Sequence, residues 1–237
     1  MTLAQPKSGY RAATDPVLLA AAIPAKDSDQ VLDVGCGVGT AALCLGVRVD
    51  VELVGLELSH EYAALGRQNS YANGIMFQVI EGDLFDMPSD LRTQEFDHVM
   101  TNPPFYDAGK GSDPDNALKA DAHVMGQPLS EWIAACLRRV KSGGTFTIIM
   151  RAEKLDEILA ATRTKLGAIQ ALPIAPRAGA PAKRVIVQGI KGRQTPMKLL
   201  APLIMHQGTQ HEKDGDSYTK EARSILREGS AIRTMTT

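Results

Sequence analysis

Short apolar runs alternate with longer amphipathic stretches from residue 30 to residue 150. Residues 31–34, 51–58, 76–80, 96–101 and 145–150 are each the length of a strand and rich in Val, Leu, Ile, Met or Phe. The intervals have helical composition. Residues 40–47 suit a crossover helix, residues 59–73 begin on a capping Ser59 with Glu61 in the first turn and stop at Asn73-Gly74, and residues 128–140 supply a third helix. After the third, Ser142-Gly143-Gly144 reads as a turn. This alternation predicts an α/β fold, a mostly parallel sheet crossed by helices. Residues 169–174 and 184–190 read as two strands joined by a Pro/Gly/Ala-rich loop, so they are expected to pair antiparallel and close the sheet edge. Residues 197–206 read as a further strand, and residues 219–228 as a short helix stopped by Gly229. No repeat or second-domain boundary interrupts the pattern. Residues 1–237 are expected to form one domain, with an N-terminal arm and helix (1–29), a core (30–193) and a C-terminal extension (194–237).

Composition narrows the class. With 237 residues, 44% hydrophobic and 22% charged, the chain can bury a substantial core, which excludes disorder as its main state. The longest uninterrupted apolar run, residues 17–23, falls far short of the ~20 residues of a membrane span. Lys7 and Arg11 before that run resemble the start of a secretory leader, but Asp15-Pro16 directly ahead of it predicts a helix with Asp15 as N-cap and Pro16 at the first helical position. Cys36, Cys44 and Cys136 are too few and too scattered for a disulfide framework or a metal site, so they are expected to be reduced thiols in a cytoplasmic protein without a metal.

The formal net charge of −1 hides an asymmetry. Residues 1–170 carry 15 basic and 22 acidic side chains, and residues 171–237 carry 11 and 5. No carboxylate lies between Glu157 and Glu212, whereas Arg163, Lys165, Arg177, Lys183, Arg184, Lys191, Arg193 and Lys198 all do. If these share a face they form a cationic surface for phosphates; otherwise they are an ordinary solvated surface.

Chemistry concentrates at two places. In Asp33-Val34-Gly35-Cys36-Gly37-Val38-Gly39-Thr40 every second residue after the strand is glycine. Such a turn lets backbone approach a ligand and leads into a helix whose first amides favour negative charge. The dinucleotide fingerprint requires a glycine where Thr40 stands, so that pattern fails. Acids mark the ends of the next two strands. Glu57, followed by Leu58, stands where a carboxylate accepts ribose hydroxyls, and Asp83, followed by Leu84, stands where one accepts from an adenine amino group. The second place is Thr101-Asn102-Pro103-Pro104-Phe105-Tyr106. The two prolines form a stiff corner with carbonyls free to face a ligand, Asn102 adds an amide acceptor, and Phe105 a flat surface for stacking a base. Two acceptors, the Asn102 side-chain oxygen and the Pro103 carbonyl, can hold both N–H groups of an exocyclic purine amine and stabilise positive charge developing on its nitrogen.

The glycine pattern with its two strand-end acids resembles the class I S-adenosylmethionine-dependent methyltransferases, across residues 31–84. The resemblance implies a Rossmann-like sheet with an antiparallel terminal hairpin and helices on both faces. It also implies S-adenosylmethionine as cofactor and S-adenosylhomocysteine as product, held by Asp33, Gly35, Gly37, Gly39, Glu57, Leu58, Asp83, Leu84 and Asn102. Asn102 to Phe105 resembles the quartet of the amino-methyltransferases that act on adenine N6, guanine N2 or glutamine N5. Release-factor enzymes of that group carry an extra N-terminal helical domain, and only about 30 residues precede the glycine turn here. The opening Gln5-Pro6-Lys7-Ser8-Gly9-Tyr10-Arg11 and the closing Tyr218-Thr219-x-Glu221-Ala222 are similar to the bacterial tRNA(Val) adenine-N6 methyltransferase family, so the likeness spans most of the chain. Phe105 stands where close relatives carry tyrosine, and Tyr106 is placed to supply the missing hydroxyl.

By that resemblance residues 5–11 cover the cofactor or line the base pocket, with Tyr10 and Arg11 the contacts, and residues 107–124 either close over substrate or form an uninvolved insertion. Tyr106, Arg177, Lys183 and Arg184 complete the expected substrate contacts. His123 is given no role and Trp132 is read as core. The expected activity is methylation of an anticodon-loop adenine in tRNA, tRNA being the partner. The alternatives are guanine-N2 methylation of ribosomal RNA, adenine-N6 methylation of DNA, and a catalytically silent RNA-binding subunit. Only 5% aromatic residues and no separate target-recognition segment disfavour a sequence-specific DNA enzyme.

Overall fold

A computed structural model describes residues 1–7, 13–104, 127–208 and 217–236. Its strands are β1 (Gln30–Val34), β2 (Glu52–Glu57), β3 (Phe77–Glu81), β4 (Phe96–Thr101), β5 (Val140–Arg151), β6 (Leu166–Ala175), β7 (Arg184–Lys191), β8 (Lys198–Leu199) and β9 (Leu203–Ile204). They form one sheet in the order β3-β2-β1-β4-β5-β7-β6-β8, with β9 also on β6. The first five are parallel, and β7 runs antiparallel between β5 and β6. The α/β class, the parallel order and the antiparallel terminal pair are therefore as the sequence predicts.

The helices are α1 (Asp15–Ala22), α2 (Thr40–Arg48), α3 (His60–Asn73), α4 (Ser89–Arg92), α5 (Leu129–Leu137), α6 (Leu155–Thr162), α7 (Lys220–Glu228) and α8 (Arg233–Thr236). Two apolar clusters hold the layers, one containing α1, α2 and α7 residues with Leu53 and Ile186, the other containing α5 residues with Leu32, Phe96 and Phe146. Leu18, Leu19 and Ile23 are essentially fully buried, each contributing about 1.5–3 kcal/mol. The predicted caps of α3 form: Ser59 accepts from the Tyr62 amide, and Gly74 ends the helix in the left-handed region at φ +64°.

Three expectations are corrected. Asp15 is the first residue of α1, not its cap; Thr14 takes that position and caps with no side-chain hydrogen bond. The Asp15 carboxylate instead accepts from Arg184 Nε at 2.7 Å, a partner 169 residues away that local pattern does not reveal. Ser142-Gly143-Gly144 is no turn between elements but a bulge inside β5. Phe96 faces Val140 while His98 already faces Thr145, so two steps along β4 span five along β5. Gly143 at φ +80° makes this excursion possible. Residues 197–206 are two two-residue strands interrupted at Ala201-Pro202, since proline offers no ladder donor.

The register sorts the basic residues. Thr101 faces both Val34 and Ile148, and Arg184 faces both Arg151 and Ile174. The loop carrying Arg177, Lys183 and Arg184 thus lies at the edge where β1 and β4 end. Leu166 faces Lys191, and the Gly192 amide donates to the Lys165 carbonyl, so Arg163, Lys165, Lys191 and Arg193 lie at the opposite edge. The basic run does not share one face.

Candidate active site

β1 runs into the turn at residues 35–39, where Gly35, Gly37 and Gly39 have φ of +70°, +55° and +84°. All three lie where L side chains rarely go. A Cβ on Gly39 would come within 2.7 Å of Phe77, whereas one on Gly37 would meet nothing within 4 Å. The glycine at 39 is therefore needed for packing, and the one at 37 keeps a cradle open. The amides of Gly35 and Cys36 donate to the Leu56 carbonyl at 2.8 and 3.1 Å, tying the turn to β2.

Two carboxylates stand behind the turn. Glu57 is buried and accepts from the Gly37 amide at 2.8 Å and the Ser59 amide at 2.9 Å, so the residue expected to hold ribose hydroxyls also supports the turn. Asp33 is 3% exposed and its Oδ2 has no hydrogen-bond partner, as has the buried Oγ1 of Thr40. Burial pushes the Asp33 carboxyl up to about 7; the Ala42 backbone N–H opposes this and the Glu57 charge adds to it. A buried acceptor without a donor, beside a second carboxylate and an open cradle, suits a cationic ligand. Asp83, after β3, is half-buried and accepts from the Phe85 amide at 2.8 Å, while Leu84 is buried in the core and Leu58 is half-buried. The acids thus end strands one, two and three, in that spatial order at one sheet edge.

Asn102 and Pro103 follow Thr101, which sits opposite Val34, so the diproline corner stands beside the start of the glycine turn. Thr101 Oγ1 donates to the Val34 carbonyl at 2.9 Å and accepts from Trp132 Nε1 at 3.0 Å. The Trp132 ring also lies against Gly35 and meets Phe85 edge-on at 6.2 Å. Trp132 is thus more than core filling. It is a strut that fixes the glycine turn relative to the Asn102 corner. The sequence signal for it is a polar-tipped aromatic opening the apolar stretch Ile133-Ala134-Ala135-Cys136-Leu137 of a helix, where its N–H needs a buried acceptor. Pro103 is buried, Asn102 half-buried and Pro104 exposed. Phe105 and Tyr106, the segment 107–124 with His123, and Tyr10 and Arg11 lie outside the described residues.

At the same edge Lys183 is exposed, Arg177 is half-buried and donates to the Gln207 and Gly208 carbonyls, and Arg184 is held by Asp15. Burial holds all three thiols above their ordinary value, that of Cys36 also through the Asp33 and Glu57 charges, so no thiolate nucleophile is offered at neutral pH. Among the described residues no group of three His, Cys, Asp or Glu is placed to hold a metal, and no helix is long and apolar enough to cross a membrane.

Comparison with known proteins places the chain in a family. Residues 12–169 match the family model described as the methyltransferase small domain. The chain is 30% identical over 188 residues, 77% of each chain, to a tRNA1(Val) (adenine(37)-N6)-methyltransferase of Aeromonas hydrophila. It is 25% identical over 225 residues, 92% of each chain, to a protein of the same name from Bacteroides fragilis. Among solved structures, a predicted O-methyltransferase of Agrobacterium tumefaciens superposes with a TM-score of 0.73 at 26% identity, covering 92% of this chain and 98% of that one. The 16S rRNA N2 G1207 methyltransferase of T. thermophilus, solved with AdoMet and guanosine, shares the fold at a TM-score of 0.56 and 21% identity, over 78% of this chain and 45% of its own.

Proposed function

The chain belongs to the methyltransferase small-domain family, and from that premise we propose that it methylates the exocyclic N6 amine of an adenine in tRNA, with S-adenosylmethionine as donor. The observation that carries this reading is the juxtaposition of two sites at one sheet edge. The turn with the partnerless Asp33 Oδ2 and the open space at Gly37 lies one strand from the Asn102-Pro103-Pro104 corner.

These residues fit the donor. Asp33 and Glu57 supply negative charge for a cation, Gly35, Gly37 and Gly39 supply close backbone approach, and Glu57, Leu58, Asp83 and Leu84 border the strand ends where a nucleoside is held. When bound, S-adenosylmethionine supplies an electrophilic methyl carbon. The chain's own part is to present the acceptor. Asn102 and the Pro103 carbonyl take the two amine N–H groups, which draws the nitrogen lone pair out of the ring and stabilises the charge that grows on it. A pair of acceptors matches an amine, which has two N–H groups to place; a hydroxyl has one. Phe105, by its place in the sequence, is the residue proposed to stack on the base, and Tyr106 the one proposed to supply a hydroxyl. Lys183 and Arg177, at the same edge, contact RNA phosphates and orient without choosing the base, while Arg184 contributes through its position beside Asp15. Tyr10 and Arg11 are proposed, from the family resemblance, to contact the donor or the base. Adenine in a loop is splayed out at less cost than in a duplex, and the names of the relatives favour tRNA(Val) over ribosomal RNA or DNA.

The test is to supply radiolabelled methyl donor with bulk tRNA, ribosomal RNA, DNA or protein separately, and to digest each polymer to its monomers. Label in N6-methyladenosine from tRNA is expected. Label confined to protein or to guanosine overturns the reading.

A further inference from the structure

Asn69, on the inner face of α3, is 1% exposed and spends its whole amide on two other segments. Its Nδ2 donates to the Val38 carbonyl in the glycine turn at 3.0 Å and to the Ala4 carbonyl at 3.0 Å, and its Oδ1 accepts from the Ala4 amide at 2.7 Å. One helical turn on, Asn73 repeats the motif with Thr2, accepting from its amide at 2.9 Å and donating to its carbonyl at 2.8 Å. The Asn73 Nδ2 also donates to the Asn69 carbonyl at 2.8 Å.

The match is geometric. Residues i and i+4 of a helix are about 6 Å apart, close to the ~6.6–6.8 Å between residues i and i+2 of an extended chain. Two asparagines at this spacing therefore act as a surrogate strand, each side-chain amide replacing a peptide group, and the arm runs along α3 antiparallel to it. The ladder has a built-in end. The next arm residue in phase is Pro6, which has no N–H, and the matching turn of α3 carries Leu65 and Gly66. Gly66 serves another purpose: a Cβ there would lie 3.4 Å from the Gly37 carbonyl, so α3 rests directly on the glycine turn.

Position gives the ladder its consequence. Ala4 is fixed beside Val38, at the start of α2, and Asp15 is fixed by Arg184 at the start of β7. α1 packs on α2, whose amino-terminal end directly follows the glycine turn.

We infer that Asn69 is a positioning residue that couples docking of the N-terminal arm to the shape of the glycine turn, so that arm docking and donor binding reinforce each other. The inference rests on the donor assignment under Proposed function. Coupling is reciprocal: loosening the arm weakens the donor site, and the donor tightens the arm.

The experiment uses the full-length chain and S-adenosylmethionine alone, without RNA. Ala4→Pro removes the arm's donor to Asn69 Oδ1 while leaving α3 and the turn intact; Asn69→Ala removes all three bonds. Calorimetry is expected to show the donor Kd raised about five- to tenfold by Ala4→Pro and by more in Asn69→Ala. The double variant is expected to be no weaker than Asn69→Ala, because the two changes remove one linkage. Donor should slow tryptic cleavage at Lys7 in the unmodified chain but not in Ala4→Pro, and in a separate turnover assay with tRNA added the KM for donor should rise while kcat at saturation stays within about twofold. If Asn69→Ala does not fold, Ala4→Pro decides alone. An unchanged Kd in Ala4→Pro, with the unmodified chain binding donor, overturns the coupling while leaving the functional reading intact. Failure of the unmodified chain to bind donor overturns both.

Discussion

Replacing Asp33 by asparagine should stabilise the ligand-free protein while impairing it as an enzyme. The Asp33 carboxyl is lifted from 3.8 to about 7, chiefly by burial, a shift worth about 4 kcal/mol. The folded state binds its proton more tightly than the unfolded chain does. The folded protein therefore carries no penalty below about pH 3.8, loses stability as pH rises toward 7, and bears the full cost above it. At pH 5 about 1.6 kcal/mol of the cost is present, and at pH 8 all of it. The asparagine amide has no charge to bury, so the stability gained by Asp33→Asn should be about 3 kcal/mol larger at pH 8 than at pH 5. For a chain of this size that difference corresponds to roughly 6–12 °C in Tm. Urea unfolding at both pH values, with thermal scans alongside, measures it. The reasoning fails if Asp33→Asn changes stability equally at pH 5 and pH 8, or is less stable than the unmodified chain at pH 8. The unmodified protein should also bind cationic donor more tightly as pH rises through 7, releasing a proton as it does so, and Asp33→Asn should not.

Gly39 and Gly37 should respond differently to alanine. Gly39→Ala drives a Cβ to 2.7 Å from Phe77 and should cost more than about 2 kcal/mol of stability by urea unfolding. Gly37→Ala meets nothing within 4 Å, so its stability loss should stay near the ~1–2 kcal/mol of a left-handed alanine, yet donor binding by calorimetry should be lost as the methyl fills the cradle. Trp132→Phe deletes the 3.0 Å bond to Thr101 and should cost about 1 kcal/mol of stability, with a larger fall in kcat than in donor affinity because the corner is no longer held against the turn. Lys183→Glu should raise the KM for RNA and flatten its salt dependence, whereas Lys165→Glu, at the opposite sheet edge, should do neither.

The core of the fold was legible because parallel strands covered on both faces read as short continuous apolar runs. β4 matches its expected bounds to the residue, and α3 does so to within one. What escaped lay in long-range partners. The partnership of Asp15 with Arg184 spans 169 residues, and the bulge at residues 142–144 depends on register against β4. α6 was missed despite a signal, since Leu155, Ile158, Leu159 and Thr162 have the i, i+3, i+4, i+7 spacing of a helix face. At the site, the acids and glycines were readable one by one because each ends a strand. The supports were less so: Asn69 has ordinary sequence surroundings, and although Thr101 opens a motif and Trp132 is a polar-tipped aromatic, only folding shows which partners they meet.

Catalysis rests most directly on the Asn102 corner presenting an adenine amine to the methyl donor. The decisive measurement is mass spectrometry of nuclease fragments of valine tRNA after incubation with donor and either the unmodified chain or Asn102→Ala. One adenine in the anticodon loop is expected to gain a methyl group at N6, about 10²- to 10³-fold more slowly with the variant at saturating donor. Equal rates for the two proteins, or a methyl group on any atom other than an adenine N6, would contradict it.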